Sequence, residues 1–278
     1  MKKERLTDFS PNELPANRWS LFWDLVRHQS RALIATSLLE TLFALPLFID
    51  YFVFSFLVGS LRAQSASPSG IFALLFYGCL TAIPCFMVLF LGLTGAAEIT
   101  KKLAFLEGTL GVSSFYMGFR KNWKAGLAIG FLYGASFALA LLGSVYLLFF
   151  QGSHPLMTGF GIGLLVYQFL IVNSLSHYAL SQEALYENTF GATLKNSFIF
   201  AHVKLPLNVA WTLLSPGIFI ILFAINDVTS YVGVGLFALL NSYGLLVWTL
   251  YAHAVYDRYI NAAHHPELVG KGLHKKED

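Results

Sequence analysis

The stretch Glu107–Leu127, EGTLGVSSFYMGFRKNWKAGL, decides the fold, because it returns eighty positions later as Glu187–Leu207, ENTFGATLKNSFIFAHVKLPL. Each copy follows one long apolar run and leads into another. At that constant offset Glu107 matches Glu187, Thr109 matches Thr189, Gly111 matches Gly191, Lys124 matches Lys204 and Leu127 matches Leu207. The pattern reads as a repeated unit, a helix pair with an amphipathic elbow.

The chain around these copies has 278 residues, of which 56% are hydrophobic and only 12% charged; a typical soluble domain carries about 25% charged residues. So few polar groups cannot cover a globular surface, and the chain needs the lipid bilayer as part of its solvent. The expected class is all-α, a polytopic membrane protein. A net charge of +3, with the basic residues in short clusters between apolar runs, gives no stripe for nucleic acid. Cys79 and Cys85 stand six apart inside one apolar segment, a spacing that suits packing thiols rather than a metal. Glu4, Asp8, Glu13 and two prolines precede the first apolar run, unlike a cleaved signal peptide, so the first helix is expected to stay in the mature protein.

Three parts follow in order. Residues 1–31 read as a polar tail and an amphipathic surface helix from Asn17 to Arg31, with Trp19, Phe22, Trp23 and Val26 on the bilayer and Arg18, Asp24 and Arg27 in water. Residues 32–256 read as one transmembrane domain. Its first span lies between Arg31 and Arg62, and its second from Ile71 to Ala97, bent at Pro84. No Asp, Glu, Lys or Arg occurs from Ala125 to Gln182, room for spans three and four with a turn at Gln151–Pro155; Asn226-Asp227 divides spans five and six. Residues 257–278 read as a polar tail. Six spans place seventeen of the eighteen Lys and Arg on one side, with only Arg62 opposite, so both termini are expected in the cytoplasm. The elbows are amphipathic through Val112, Phe115, Tyr116, Phe119 and Trp123, and through Tyr186, Phe190 and Leu194.

No Walker loop, HExxH, GxSxG or GxGxxG occurs, so neither an enzyme nor a resident cofactor or metal is expected. Glu40 lies about 13 Å of helical rise past Arg31, near the bilayer midplane, where an ionised carboxylate costs at least ~2.5 kcal/mol unless paired or wetted. Two readings stand open: a cation- or proton-coupling carboxylate, or a carboxyl hydrogen-bonded to a neighbouring helix through Asn241 or Asn173. Asp50 lies nearer the far interface with Arg62. His177, His253 and Glu98 fall near the basic-side ends of their spans, as a relay or as separate interfacial groups. Ser215-Pro216-Gly217 interrupts span five, with Pro216 removing a backbone donor at depth, either to line a site or to pack. Gly126, Gly130 and Gly134 form a close-approach face for another helix of the chain or for a second copy, a homo-oligomer. Arg120, Lys121, Asn122, Trp123 and Lys124 of the first elbow and Lys195, Asn196 and Lys204 of the second suit a protein partner or lipid headgroups.

LFALPLF (Leu42–Phe48), GLTGAAEITKKLAFLEG (Gly92–Gly108), FRKNWKAGL (Phe119–Leu127) and YENTFGATLKNSFIFAHVKLPLN (Tyr186–Asn208), in this order, resemble the YesL-like family of bacterial integral membrane proteins. The resemblance implies a bacterial cytoplasmic (plasma) membrane protein. It also implies an accessory role beside the permease or ATPase subunits of an ABC-type carbohydrate uptake system, because family members tend to be encoded beside such genes and carbohydrate-degrading enzymes. It brings no catalytic or binding residues. The chain departs from the family pattern in a longer stretch after Leu45-Pro46 and in carrying Glu40 and Asp50. The alternative is a self-sufficient secondary transporter or channel with a midplane site near Glu40 and the Ser215–Gly217 break.

Overall fold

The computed structural model describes residues 14–65, 67–109, 111–150 and 154–274, and helix is the only regular structure among them. A short helix α1 (Arg18–His28) leads into α2 (Ser30–Ala63), α3 (Pro68–Ala104), α4 (Val112–Phe150) and α5 (Pro155–Leu185). Then come α6 (Phe190–Val203), α7 (Leu205–Leu214), α8 (Pro216–Ile225) and α9 (Asp227–Tyr256). Five helices, counting α9 with its continuation, are long and apolar enough to cross a membrane.

The sixth crossing is made in two pieces. At a rise of 1.5 Å per residue, each ten-residue half, α7 and α8, reaches about 15 Å, half the hydrocarbon thickness. Their contacts run steadily along α9. Asn208 accepts from Tyr251, Trp211 packs on Tyr251, Ser215 fills the space beside Gly244, Phe219 packs on Phe237, and the Leu222 carbonyl accepts from Thr229. The two halves therefore traverse antiparallel to α9. An even number of crossings is also required by the ends of the chain: Arg18 pairs with Asp257 at 2.9 Å, and the His274 amide donates to the Pro15 carbonyl at 3.0 Å. Both termini of the described chain thus lie on one side, together with the elbows.

Helix α3 is the centre of the bundle, and Gly92 to Thr100 are all buried. The glycines expected to offer a face to another helix are used here: a Cβ at Gly130 would stand 2.7 Å from Met87 Cα and one at Gly126 would stand 3.1 Å from the Phe90 carbonyl oxygen. Gly134 closes on Ile83 in the same row. This face belongs to α3, so a second copy has no access to it. Pro84 does not interrupt α3, which continues as one helix through it. The Asn226 turn is as read from the sequence, a capping box in which Asn226 accepts from the Thr229 amide and Thr229 accepts from the Asn226 amide. The expected turn at Gln151–Pro155 falls largely on residues 151–153, outside the described residues.

The repeat is visible with one adjustment. In each unit a span ends, an elbow helix turns aside, and a non-helical residue redirects the chain into the next span: Asn122 (φ −114°, ψ 15°) in the first and Lys204 (φ −113°, ψ 27°) in the second. The elbows begin at 112 and 190, which is 78 positions, and break at 122 and 204, which is 82. The second elbow is four residues longer, about one helical turn, so the same face still meets the bundle. Lys124 and Lys204, paired by the constant offset, are therefore not structural equivalents. A side chain at each span end clamps its elbow: Lys102 donates to Ser114 at 3.1 Å, and Gln182 donates to Ser197 at 2.9 Å.

One expectation about the ends of the chain is corrected: Arg18 is not in water, since its side chain is only 12% exposed and is held by Asp257 and by the Lys271 carbonyl. Residues 257–274, read from the sequence as a polar tail, pack against the bundle. They form a strap, with a π-helical turn over Asp257–Asn261 and a 3-10 turn over Pro266–Leu268, that crosses the ends of α3 and α5. Gly272 lies against the Ala104 carbonyl, where a Cβ has no room, and Lys271 stands 4.4 Å over the Phe105 ring and bonds Glu107.

Candidate functional site

The site expected near the midplane is built by α2 and α9. Ser37 and Glu40, one turn apart on α2, face Asn241 and Ser242 on α9. Asn241 Nδ2 donates to Glu40 Oε2 at 2.5 Å, Ser242 Oγ donates to Oε1 at 3.0 Å, and the Ser242 amide donates to Ser37 Oγ at 2.9 Å. Glu40, Ser37 and Ser242 are all fully buried. Of the two partners expected for Glu40, Asn241 is the one present; Asn173 donates instead to Thr212 of α7 at 2.8 Å. The sequence signal missed was the pair of serines, because small polar residues in apolar runs are common in spans.

Asp50 is not placed beside Arg62. It accepts from Thr81 of α3 at 2.5 Å, and twelve residues of helix separate it from Arg62 by about 18 Å. His177, His253 and Glu98 do not converge either. His177 stacks on Trp248 with ring centres 4.6 Å apart, His253 packs on Phe105, and Glu98 pairs with Lys101 at 2.7 Å. No group of His, Cys, Asp and Glu suited to a metal exists among the described residues. The break in span five falls at Ser215, and Pro216 opens α8. Its neighbour Gly244 lies about one turn of α9 from Asn241.

The basic side carries the second candidate surface. The elbows bury small polar residues inward, Ser114 and Asn122 in the first and Thr193 and Ser197 in the second, and turn Tyr116, Met117, Trp123, Phe198, Ile199 and Val203 outward. This reverses the usual soluble amphipathic helix and suits a face toward lipid. Asn122 is therefore a buried hinge residue rather than a docking group, and Tyr186 is the buried cap of α5 rather than part of an elbow. Phe115 also points inward. Arg120, Lys121, Trp123, Lys124 and Lys195 are exposed, while Asn196 and Lys204 are half-buried. Lys124 lies over Trp123 and Lys204 over Tyr259. Lys121 reaches Glu187, in the link between α5 and the second elbow, at 3.8 Å, a solvent-exposed contact of little energy.

Asn208 holds the sharp bend between α6 and α7, which meet at 95°. Its amide donates to the Phe200 and Ala201 carbonyls in the last turn of α6, the first of which also accepts from the Lys204 amide, and its oxygen accepts from Tyr178 and Tyr251. Beside it Tyr186 donates to Asn261 at 2.6 Å, and Asn261 donates to Asp257 at 2.8 Å. Burial, reinforced by the Asp257 charge, pushes the Tyr186 phenol well up, so it stays a neutral donor.

The arrangement defines an all-α, multi-pass membrane protein whose basic side is a locked platform of elbows, α1 and strap. No family model, no curated protein and no solved structure matches the chain.

Proposed function

We propose that this membrane protein is a non-enzymatic accessory subunit of a solute-uptake assembly in the bacterial cytoplasmic membrane. The observation that supports this reading is the basic platform: Arg120, Lys121, Trp123, Lys124 and Lys195 are exposed on elbows that are clamped to the span ends. Rigid mounting of charged and aromatic groups lowers the ordering cost of binding a protein partner. The excess of Lys and Arg on that side puts it in the cytoplasm, where ATPase subunits and permease loops are reached. The resemblance to the YesL-like family points to carbohydrate as the solute and to ABC-type permease or ATPase subunits as the partners.

The test is gentle-detergent purification of a tagged copy from native membranes, with mass spectrometry against an untagged control. Stoichiometric permease or ATPase subunits, lost when Arg120, Lys121 and Lys124 are replaced together by Ala, are the expected result. Recovery of the protein alone removes the accessory reading.

A secondary transporter is the second reading, favoured by one observation: the broken span five meets α9 one turn from the Glu40 cluster. Transporters use broken helices to build midplane sites. Reconstituted proton- or cation-driven flux that Glu40→Gln abolishes supports it; flux that Glu40→Gln leaves unchanged takes Glu40 out of the mechanism.

A further inference from the structure

Two spans each deliver a cation to one point on the basic side. Lys204 is the hinge at which α6 gives way to α7, where the sixth crossing begins, and Arg258 lies in the π-helical turn that continues α9. Both stand over the Tyr259 ring, Lys204 Nζ at 5.9 Å and the Arg258 guanidinium carbon at 5.4 Å from its centre. Neither has a carboxylate partner among the described residues. Asp257, beside Arg258 in the chain, is committed to Arg18, to the Asn261 side chain and to the Gly270 amide. The Tyr259 hydroxyl makes no hydrogen bond among the described residues, and Tyr259 is 43% exposed. The ring face holds the two cations in place, while their mutual repulsion is relieved by an anion beside them.

The surroundings select the kind of anion. Val203 and Leu207, flanking Lys204, are 55% and 50% exposed and open the apolar surface by which this crossing enters the bilayer. A tyrosine with an apolar ring and a polar tip suits the same boundary. Charge next to lipid-facing surface matches a ligand with an anionic head and apolar chains. We propose that Lys204, Arg258 and Tyr259 form a headgroup site for one anionic phospholipid of the basic-side leaflet. Its phosphate oxygens face the two cations and the Tyr259 hydroxyl, and its acyl chains run along Val203 and Leu207. The site is separate from Arg120, Lys121 and Lys124 of the first elbow. Because one cation comes from the α6–α7 hinge and the other from the strap, the bound lipid ties the strap to span five.

The experiment is native mass spectrometry of the full-length protein, delipidated in detergent and titrated with 1-palmitoyl-2-oleoyl phosphatidylglycerol or the matching zwitterionic phosphatidylethanolamine. The expected result is one phosphatidylglycerol held about tenfold more tightly than phosphatidylethanolamine. Lys204→Gln and Arg258→Gln each weaken its retention about fivefold, and the double variant loses the headgroup preference. Arg62→Gln, in the last turn of α2 at the opposite end of the bundle, removes one positive charge and leaves retention intact. Equal retention of the two lipids by the wild type overturns the proposal, as does a preference that survives in the double variant. Weakening by Arg62→Gln as large as by Arg258→Gln overturns it in favour of net charge alone, and displacement of the lipid by millimolar inorganic phosphate overturns it in favour of a soluble anion.

Discussion

Replacing Glu40 separates a structural knot from a coupling group. Glu40→Ala removes the acceptor of two buried hydrogen bonds, from Asn241 and Ser242. Side-chain hydrogen bonds between helices in a membrane average about 0.6 kcal/mol and reach about 1.7, so the loss is about 1 to 3 kcal/mol. Glu40→Gln is different. The amide oxygen still accepts from Ser242, and its NH₂ meets Asn241, whose amide needs only a flip to present oxygen in place of nitrogen. The expected cost is under about 0.5 kcal/mol, because both hydrogen bonds survive. The assay is reversible unfolding in mixed micelles at increasing mole fraction of SDS, followed by circular dichroism, for Glu40→Ala, Asn241→Ala, the double variant and Glu40→Gln. The cycle should return a coupling of about 1 kcal/mol between Glu40 and Asn241. Coupling below about 0.3 kcal/mol, or a Glu40→Gln variant as unstable as Glu40→Ala, refutes the reasoning.

Gly130→Ala should destabilise by about 1 to 3 kcal/mol, since its methyl meets the α3 backbone, whereas Gly163→Ala, with open space around it, should be neutral or gain up to about 1 kcal/mol of helix propensity; the same unfolding assay reads both. Asn208→Ala removes the side-chain donor to the Phe200 and Ala201 carbonyls, the first of which keeps the Lys204 amide, and the acceptor of two tyrosine hydroxyls, and should cost at least about 2 kcal/mol, with faster hydrogen exchange at the α6–α7 junction. Asp257→Ala unpairs Arg18 and Asn261 and should free the strap, seen as new protease cleavage between 257 and 274; Lys271→Ala, which breaks a half-exposed pair with Glu107, should change stability by less than about 1 kcal/mol. Lys121→Ala should leave unfolding within about 0.5 kcal/mol of wild type, which makes it a clean probe for partner binding.

How much was legible divides along a physical line. Hydropathy and charge are local and additive, so the apolar runs announced a bilayer protein, Asn226 announced its turn, and the lopsided Lys and Arg announced that the elbows and both ends share one side. The repeat was legible for the same reason, since each copy is a short basic, amphipathic segment between two long apolar runs. Which helix faces which is not local. Glu40 finds Asn241 201 positions away, and no window of sequence contains that meeting. The glycine row of α4 announced a close approach but not its recipient; it turned out to be α3, whose Ile83, Phe86, Met87 and Phe90 lie against the row because the glycines leave their backbone uncovered. Arg18 looked like a surface cation until the strap brought Asp257 to it, and residues 257–274 looked like a tail because their polar composition conceals contacts made to other parts of the chain. The sequence by itself determined a six-crossing bilayer protein with its basic side marked. Only the tertiary structure decided the partners of its buried polar groups, because these depend on shape and register between segments far apart in the chain.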